Sequence, residues 1–570
     1  MISVSGKKWL EKKINKNSVE KIKQDFNFSD ILSRLIISRK FNSSEIHSIN
    51  NILEVKNNFS NNDDFIKATN FLVQSIKIKE KICILGDYDV DGAASTSLLV
   101  RFFNFINQPH FYYIPDRVTD GYGATKDLFK KLILKKPKLI IMVDCGSNSN
   151  EAINFLNENN IKSIVIDHHE ISKPYPKSNI IINPKKNNGY EKFDYLCATT
   201  LTYFLIDLVI KKEKFNFNLS NFLIYVLMAS VCDVMPLRKL NREIALNVIK
   251  KFDITKNLAF NSLFKLTNKK SKLTINDLGY FIGPLINSGG RLGKSNFATE
   301  LLSSDNTEII KNNSIKLIEL NNRRKEIENN ILNKINFRKI EKENKNVIVY
   351  YNPNINEGLI GIIASKLKDY FDKPSIVITR SNNILKGSAR STFNYNIGNL
   401  IKILKDNKVI DNGGGHNMAA GFTIKKNNIK ILDDFIQKDY SIKFSNSNSN
   451  SNYEYDLEIS SSAINNNFIN EINKLGPFGN GNSLPTFFFK DLKIIKSNIL
   501  NEKHITVIFK PKVGSSIKSI CFNCMNTKIA EHLLSYRKNI NIIAQINENI
   551  WNNKKTLQLN IKDVFLCHNP

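Results

Sequence analysis

The stretch KICILGDYDVDGAAS, residues 81–95, runs an apolar segment straight into three carboxylates, Asp87, Asp89 and Asp91, crowded into five positions ahead of Gly92. Like charges this close repel and raise one another's pKa unless a cation or an array of hydrogen-bond donors offsets them. A bound divalent metal is the most direct compensation. The same D-x-D-x-D-G opening begins an EF-hand loop. With Asp87 at position 1, Gly92 falls correctly at position 6, but position 12 is Leu98, where a bidentate Glu is needed. The sequence before it also reads as a strand rather than a helix, so the pattern argues against an EF-hand.

Working outward, four short runs rich in Ile and Val stand at residues 81–85, 139–143, 163–166 and 179–182, and helix-like sequence such as ASTSLLVRFFNFI separates the first two. This alternation predicts an α/β protein with an open parallel sheet. Ligands of such sheets gather beyond the carboxyl ends of the strands. The polar residues directly after the runs are therefore the candidates: Asp87, Asp89 and Asp91, then Asp144, then Asp167, His168 and His169. The stretch FLIYVLMASVCDVMPL, residues 222–237, is too short to span a bilayer and predicts a buried helix that delivers Asp233 at its end.

Residues 315–345 carry apolar residues at helical spacing among charges and predict a long helix connecting two lobes. A second α/β unit follows, from NVIVYYN through SIVIT to GGGHNMAAGF; SNSNSNSN at 445–452 reads as a polar linker, and alternating runs such as TFFFKDLKIIKS and HITVIFK predict a small β-barrel. The expected boundaries are a helical segment over 1–50, a catalytic domain over 51–265, connecting helices over 266–345, the second lobe over 346–444 and the barrel over 453–570.

At 570 residues the chain exceeds what one core usually supports. Its formal charge of +29 points to a polyanion such as nucleic acid. The abundance of Lys, Asn and Ile is also what an AT-rich genome produces, so charge supports that expectation without deciding it. Seven cysteines, odd in number and scattered through apolar runs, predict reduced thiols and a cytoplasmic home. The N-terminus lacks the apolar core of a signal peptide, and no membrane partner is expected. Cys521 and Cys524 invite a zinc reading, but no second ligand pair stands at zinc-finger spacing, Cys567 and His568 do not complete one, and the pair reads as packing.

Asp167-His168-His169 is the sharpest local signal, because only eight histidines exist and two stand side by side after a strand. GDYDVDG, VDCGS, IDHHE and ASVCDVMPL, in this order, resemble the four motifs of the DHH phosphoesterase superfamily. INSGGRLG, ATELL, GLIGIIASKL, KGSARS, GGGHNMAAGF and LGPFGNGNSLPTF are similar to its RecJ branch, single-strand-specific 5′ to 3′ DNA exonucleases, and the likeness runs from about Trp9 to the end.

The resemblance implies a DHH domain, a DHHA1 lobe and an OB-fold barrel, with two Mn²⁺ or Mg²⁺ ions held by Asp89, Asp91, Asp144, His168 and Asp233, and Asp87 within reach. His169 would face the scissile phosphate and Asp167 would orient its neighbours. Asp144 is the expected carboxylate shared by both ions. In the second lobe, Ser388, Arg390, His416, Gly414 and Gly415 are expected to contact the substrate, together with Asn287 and Arg291. Where the branch usually has His before E/P-G-V-x-G-I, this chain has Asn356. The implied activity is metal-dependent release of 5′-mononucleotides from single-stranded DNA in recombination and repair. The chain is expected to work as a monomer beside single-strand-binding protein and a helicase. A DHH phosphodiesterase for short oligoribonucleotides or cyclic dinucleotides is the enzymatic rival, against which the added barrel argues. A non-catalytic single-strand-binding scaffold is the other, against which the filled ligand positions argue.

Overall fold

The computed structural model describes residues 1–116, 120–121, 123–186, 189–269, 272–381, 384–392, 395–445, 452–525, 527–535, 539–551 and 554–567. The chain forms two units, one of residues 55–235 and 247–446, the other of residues 1–54, 236–246 and 447–570.

The first unit is built on a five-stranded, wholly parallel sheet: β1 (Ile82–Leu85), β2 (His110–Tyr113), β3 (Leu139–Val143), β4 (Lys162–Ile166) and β5 (Ile180–Ile182), in the order β2-β1-β3-β4-β5. Strands β1 and β3 are buried at every position, which is why they read as continuous apolar runs rather than alternating ones. Helix α1 (Val90–Phe105) follows β1, and α2 (Ala198–Glu213) and α3 (Leu223–Cys232) pack against it. All three are apolar around most of their circumference because they form a buried layer. Helices α4 (Gly283–Arg291) and α5 (Thr307–Lys334) lead to the second lobe. The single long helix expected over 315–345 is two: α5 stops where Ile335 turns extended, and Asn336 caps a new short helix, Phe337–Glu343, by accepting from the Lys339 N–H.

The second lobe has a mixed sheet of β6 (Ile348–Tyr351), β7 (Ser375–Ser381), β8 (Ile384–Arg390), β9 (Asn412–His416) and β10 (Ala419–Ile424), ordered β9-β10-β8-β7-β6, with α6 (Ile360–Phe371) on it. The glycine run of GGGH lies in edge strand β9 rather than in a turn, paired antiparallel with β10.

The other unit contains a barrel of Leu457–Glu458, Thr486–Leu500, His504–Lys510, Ile517–Cys521, Asn539–Trp551 and Lys554–Leu566, closed by pairing of Thr486–Leu500 with Asn539–Trp551. Its inward residues, Ile505, Val507 and Phe509 among them, alternate with outward ones. Cys521 and Cys524 are buried there, with the Cys524 thiol donating to the Cys521 carbonyl at 3.3 Å. The N-terminal strand Lys8–Glu11 pairs in parallel with Asn452–Tyr455. Most of the expected linker, residues 446–451, and His568 lie outside the described residues.

Arg242 ties this unit together. It is fully buried, donates to the carbonyls of Leu475 at 2.6 Å, Lys474 at 3.1 Å and Gly476, and to Ser48 Oγ at 3.0 Å, and lies over the Phe41 ring. Replacing it strands several buried acceptors, each costing about 1–3 kcal/mol, of which relaxation recovers part. Arg242→Met is therefore expected to destabilise this unit by about 3 kcal/mol. Both tryptophans, Trp9 and Trp551, belong to this unit, so the denaturant midpoint of intrinsic fluorescence reads it directly.

Candidate metal centre

The register of the parallel sheet brings the acidic stops to one edge. Leu85 pairs with Met142 and Val143 with Ile166, so the chain leaves β1, β3 and β4 side by side. Asp144 donates its N–H to the Ile166 carbonyl at 2.9 Å, and Asp167 donates to the Ile182 carbonyl at 3.0 Å. Asp144 adopts φ of 60°, a left-handed conformation that Asp tolerates better than most residues.

The carboxylate loop after β1 is folded tightly on itself. A Cβ at Gly92 would stand 2.4 Å from the Asp87 carbonyl oxygen, so only glycine lets α1 begin this close to the strand end. Asp89 caps α1, its Oδ1 accepting from the Gly92 N–H at 3.0 Å. Asp91 reaches across to the N-terminus of α2: Oδ2 accepts from Ala198 N–H at 2.7 Å, and Oδ1 accepts from Thr199 N–H at 2.8 Å and from its hydroxyl. A helix N-terminus with free N–H groups is where a buried carboxylate is best compensated. Sequence reading missed Thr199; its signal was the CATT run at 197–200, a helix start with hydroxyls in its first turn. Asp233 is the residue that ends α3.

Three groups of donors form: Asp87, Asp89 and Asp144; Asp91, His168 and Asp233; and Asp144, His168 and His169. Within each, the ligand atoms lie within 4.8 Å of one another. All six expected metal ligands, and His169, fall in these groups, with Asp144 and His168 each common to two. His168 Nε2 stands 3.3 Å from Asp144 Oδ1, 3.3 Å from Asp233 Oδ2 and 3.7 Å from Asp91 Oδ2. Donor atoms around an octahedral ion bound at about 2.0–2.1 Å are about 3 Å apart, so the cage has the right size. Both nitrogens of His168, Asp144 Oδ1 and Asp233 Oδ2 are buried without a hydrogen-bond partner.

The electrostatics call for a cation. Burial holds Asp144 well above the usual carboxylate range, and Asp91, Asp89, Asp87 and Asp233 push it further. Burial, then Asp91 and Asp89, raise Asp233 in the same way. His168 is pushed down to about 4 by burial and by His169, which keeps it a neutral donor. The neighbouring thiols Cys145 and Cys232 are pushed up by burial, which keeps them protonated and leaves oxygen and imidazole as the ligands. That donor set suits Mn²⁺ or Mg²⁺.

Asp167 stands behind this cage. Its Oδ1 accepts from His169 Nδ1 at 2.7 Å, from the His168 N–H at 2.8 Å and from the His169 N–H at 3.1 Å, while Oδ2 accepts from the Ser147 N–H at 2.9 Å. Burial opposes its charge, but the charge and hydrogen bond of His169 hold it well below the usual carboxylate range. Against burial, the charge of Asp167 and then the same bond carry His169 up to about 9.

The second lobe meets this centre. The His416 ring stacks on His169, with centroids 6.4 Å apart and planes 24° from parallel. A Cβ at Gly290 would fall 2.4 Å from the Tyr88 carbonyl oxygen, so the end of α4 lies on the carboxylate loop. Asn287 and Arg291, one turn apart on α4, share a face, and Arg291 Nη1 donates to the Gly358 carbonyl at 3.2 Å. Ser388 and Arg390 lie at the start of α6, where a Cβ on Gly361 would meet Ser388 Oγ at 3.2 Å and Arg390 Nη2 at 2.8 Å; Arg390 Nη1 donates to Ser388 Oγ at 3.2 Å. Gly414 is open to its surroundings, whereas a side chain on Gly415 would strike Ala419 and Ala420. Asn356 accepts from the Gly358 N–H at 2.8 Å, a structural role at the position where the branch usually has histidine.

Family models match three parts of the chain: the DHH family N-terminal domain over residues 81–230, the DHHA1 domain over 344–440 and the RecJ OB domain over 455–563. Among curated proteins, the single-stranded-DNA-specific exonuclease RecJ of Haemophilus influenzae is 28% identical over 86% of this chain and 89% of its own length. The RecJ of Bacillus subtilis is 26% identical over 98% of this chain and 71% of its own length. A crystal structure of Thermus thermophilus RecJ in complex with Mn²⁺ superposes with a TM-score of 0.81 at 19% identity, covering 99% of this chain and 79% of that one. Domain order, sequence and fold agree, and the chain belongs to the RecJ branch of the DHH family.

Proposed function

We infer that this protein is a metal-dependent exonuclease specific for single-stranded DNA, acting in recombination and repair, with Mn²⁺ or Mg²⁺ as cofactor. The observation that carries this reading is the convergence of Asp87, Asp89, Asp91, Asp144, His168 and Asp233 from four distant segments into overlapping donor groups. When bound, a pair of divalent ions activates water and clamps the attacking and leaving oxygens of the phosphodiester. Asp144 belongs to the group of Asp87 and Asp89 and stands 3.3 Å from His168, which groups with Asp91 and Asp233, so it would be suited to serve both ions.

The chain's own groups supply the rest. Asp167 occupies His169 Nδ1, so Nε2 is the nitrogen that carries the exchangeable proton. Water adds to phosphorus and gives up one proton to solvent, the P–O3′ bond breaks, the Nε2 proton passes to the O3′ of the departing 5′-mononucleotide, and solvent returns a proton to His169. Arg291, Ser388 and Arg390 provide guanidinium forks and a hydroxyl suited to a phosphate, with His416, Gly415 and the open backbone at Gly414 as further contacts. Digestion runs from the 5′ end. A helicase that opens duplex and a protein that coats the free strand would supply the substrate, and the enzyme works as a cytoplasmic monomer. Among the described residues no helix is long and apolar enough to cross a membrane.

Strands labelled at either end test this reading, digested with Mn²⁺ or Mg²⁺ and with EDTA beside a blunt duplex. Mononucleotides should appear first from the 5′ label, only with metal, and faster from the free strand. Metal-independent release, or equal rates on blunt duplex, would overturn the reading.

A further inference from the structure

Asn183 follows β5 directly and is fully buried. Its Nδ2 donates to the His169 carbonyl at 2.9 Å and to Ser147 Oγ at 2.7 Å, and its Oδ1 accepts the Lys185 N–H at 2.9 Å. One side chain therefore fixes the backbone of Lys185 against that of His169. The next residue, Lys186, is committed to the fold, reaching Asp64 at 3.3 Å and the Ile181 carbonyl at 3.4 Å. Lys185 is not so committed. Its Nζ stands 3.0 Å from Glu170 Oε1, and the Glu170 side chain is 67% exposed. The Lys185 side chain itself is 21% exposed, and with its carboxylate partner largely in water the pair contributes no more than about 1 kcal/mol, so Glu170 is displaced cheaply.

Lys185 nonetheless stands at the centre. Asn183 holds its backbone against that of His169, its ammonium pairs with Glu170, the residue after His169, and the His169 ring stacks on that of His416. Lys185, His169 and His416 thus line one rim of the centre, whose floor is a concentration of carboxylates. A polyanionic strand approaching that floor is repelled unless a cation on the rim receives it.

We propose that Lys185 is a substrate-binding residue: its ammonium leaves Glu170 when a strand enters and takes up a backbone phosphate on the His169 and His416 side of the centre. Glu170 is the anion the phosphate displaces, and it holds the lysine extended along the rim while the site is empty of DNA. The proposal rests on the reading of this chain as a single-strand exonuclease.

The test is binding of a fluorescein-labelled oligodeoxythymidylate across a potassium chloride series, in an Asp144→Ala background so that the strand is not consumed. Lys185→Ala is expected to bind about three- to tenfold more weakly at low salt, with the slope of log K against log salt shallower by about 0.7, the loss of one phosphate contact to a single strand. Lys185→Arg should retain the slope. Glu170→Gln, which removes the competing anion, should bind about two- to threefold more tightly. An unchanged slope in Lys185→Ala, or weaker binding by Glu170→Gln, overturns the assignment of Lys185 while the exonuclease reading stands. A parent protein that binds no single strand overturns both. Thermal midpoints should match across the variants, because Lys185 holds no buried partner.

Discussion

Asp144→Ala is expected to cut turnover of a single strand by at least about 10⁴-fold, the scale seen when one member of a catalytic unit is removed, while leaving strand binding within a few-fold. Asp144 sits where the two ends of the donor cage meet, in one group with Asp87 and Asp89 and in another with His168 and His169. Its loss dismantles both at once, whereas the second lobe and the barrel keep their cations. The same substitution should stabilise the metal-free protein. Burial and four neighbouring carboxylates hold the Asp144 pKa well above its unfolded value, so the ionised form costs folding free energy. That cost is fully present above the raised folded pKa and disappears as pH falls to the ordinary carboxylate range. The variant's thermal midpoint without metal should therefore exceed that of the parent at neutral pH, and the gain should vanish below about pH 4. Adding Mn²⁺ should reverse the order, because metal stabilises only a chain that binds it. A variant that keeps turnover, or one less stable than the parent in EDTA, contradicts the placement of Asp144.

Four of the five strands of the catalytic sheet were legible because they are buried on both faces, whereas the half-buried β2 gave no apolar run. Apolar runs then end abruptly, and a carboxylate directly after such a run is conspicuous. The rule that ligands gather at strand ends located Asp87, Asp144 and His168 without any knowledge of their partners. It applied equally to Asn183, the first polar residue after the fourth run, but an amide carries no charge to draw attention, and its role as the hub joining His169, Ser147 and Lys185 emerges only in three dimensions. The clamp on Asp91 by Ala198 and Thr199 was hidden for a related reason: the donors are backbone N–H groups more than a hundred residues away. Pairing between Lys8–Glu11 and Asn452–Tyr455 joins segments far apart in the chain, and no local periodicity encodes it. The break at Ile335 in the connecting helix was the opposite case, a local event whose signal, Asn336 at an N-cap position, was masked by continuous amphipathic spacing.

Asp167→Asn is expected to lower turnover by about 10²–10³-fold near pH 8 and to move the alkaline limb of the kcat profile to lower pH, with far less effect on strand affinity. The carboxylate takes no place in the donor groups; it accepts the Nδ1 proton of His169 at 2.7 Å and anchors the backbone of both histidines. Its charge lifts His169 to about 9 against the pull of burial, so His169 is protonated across the neutral range and able to give its Nε2 proton to O3′. An asparagine of nearly the same shape preserves part of the hydrogen bonding but none of the charge. Burial then acts unopposed, the His169 pKa falls, and the proton donor is lost at a pH where the parent still holds it. Activity should recover as pH is lowered toward 6, until protonation of the metal-binding carboxylates sets the acid limit. His169→Ala should show the same loss without the recovery, because there the acid itself is gone. Were Asp167→Asn to lose activity equally at every pH, Asp167 would serve only to hold the backbone of the histidine pair, and His169 would not be the group that protonates the leaving oxygen.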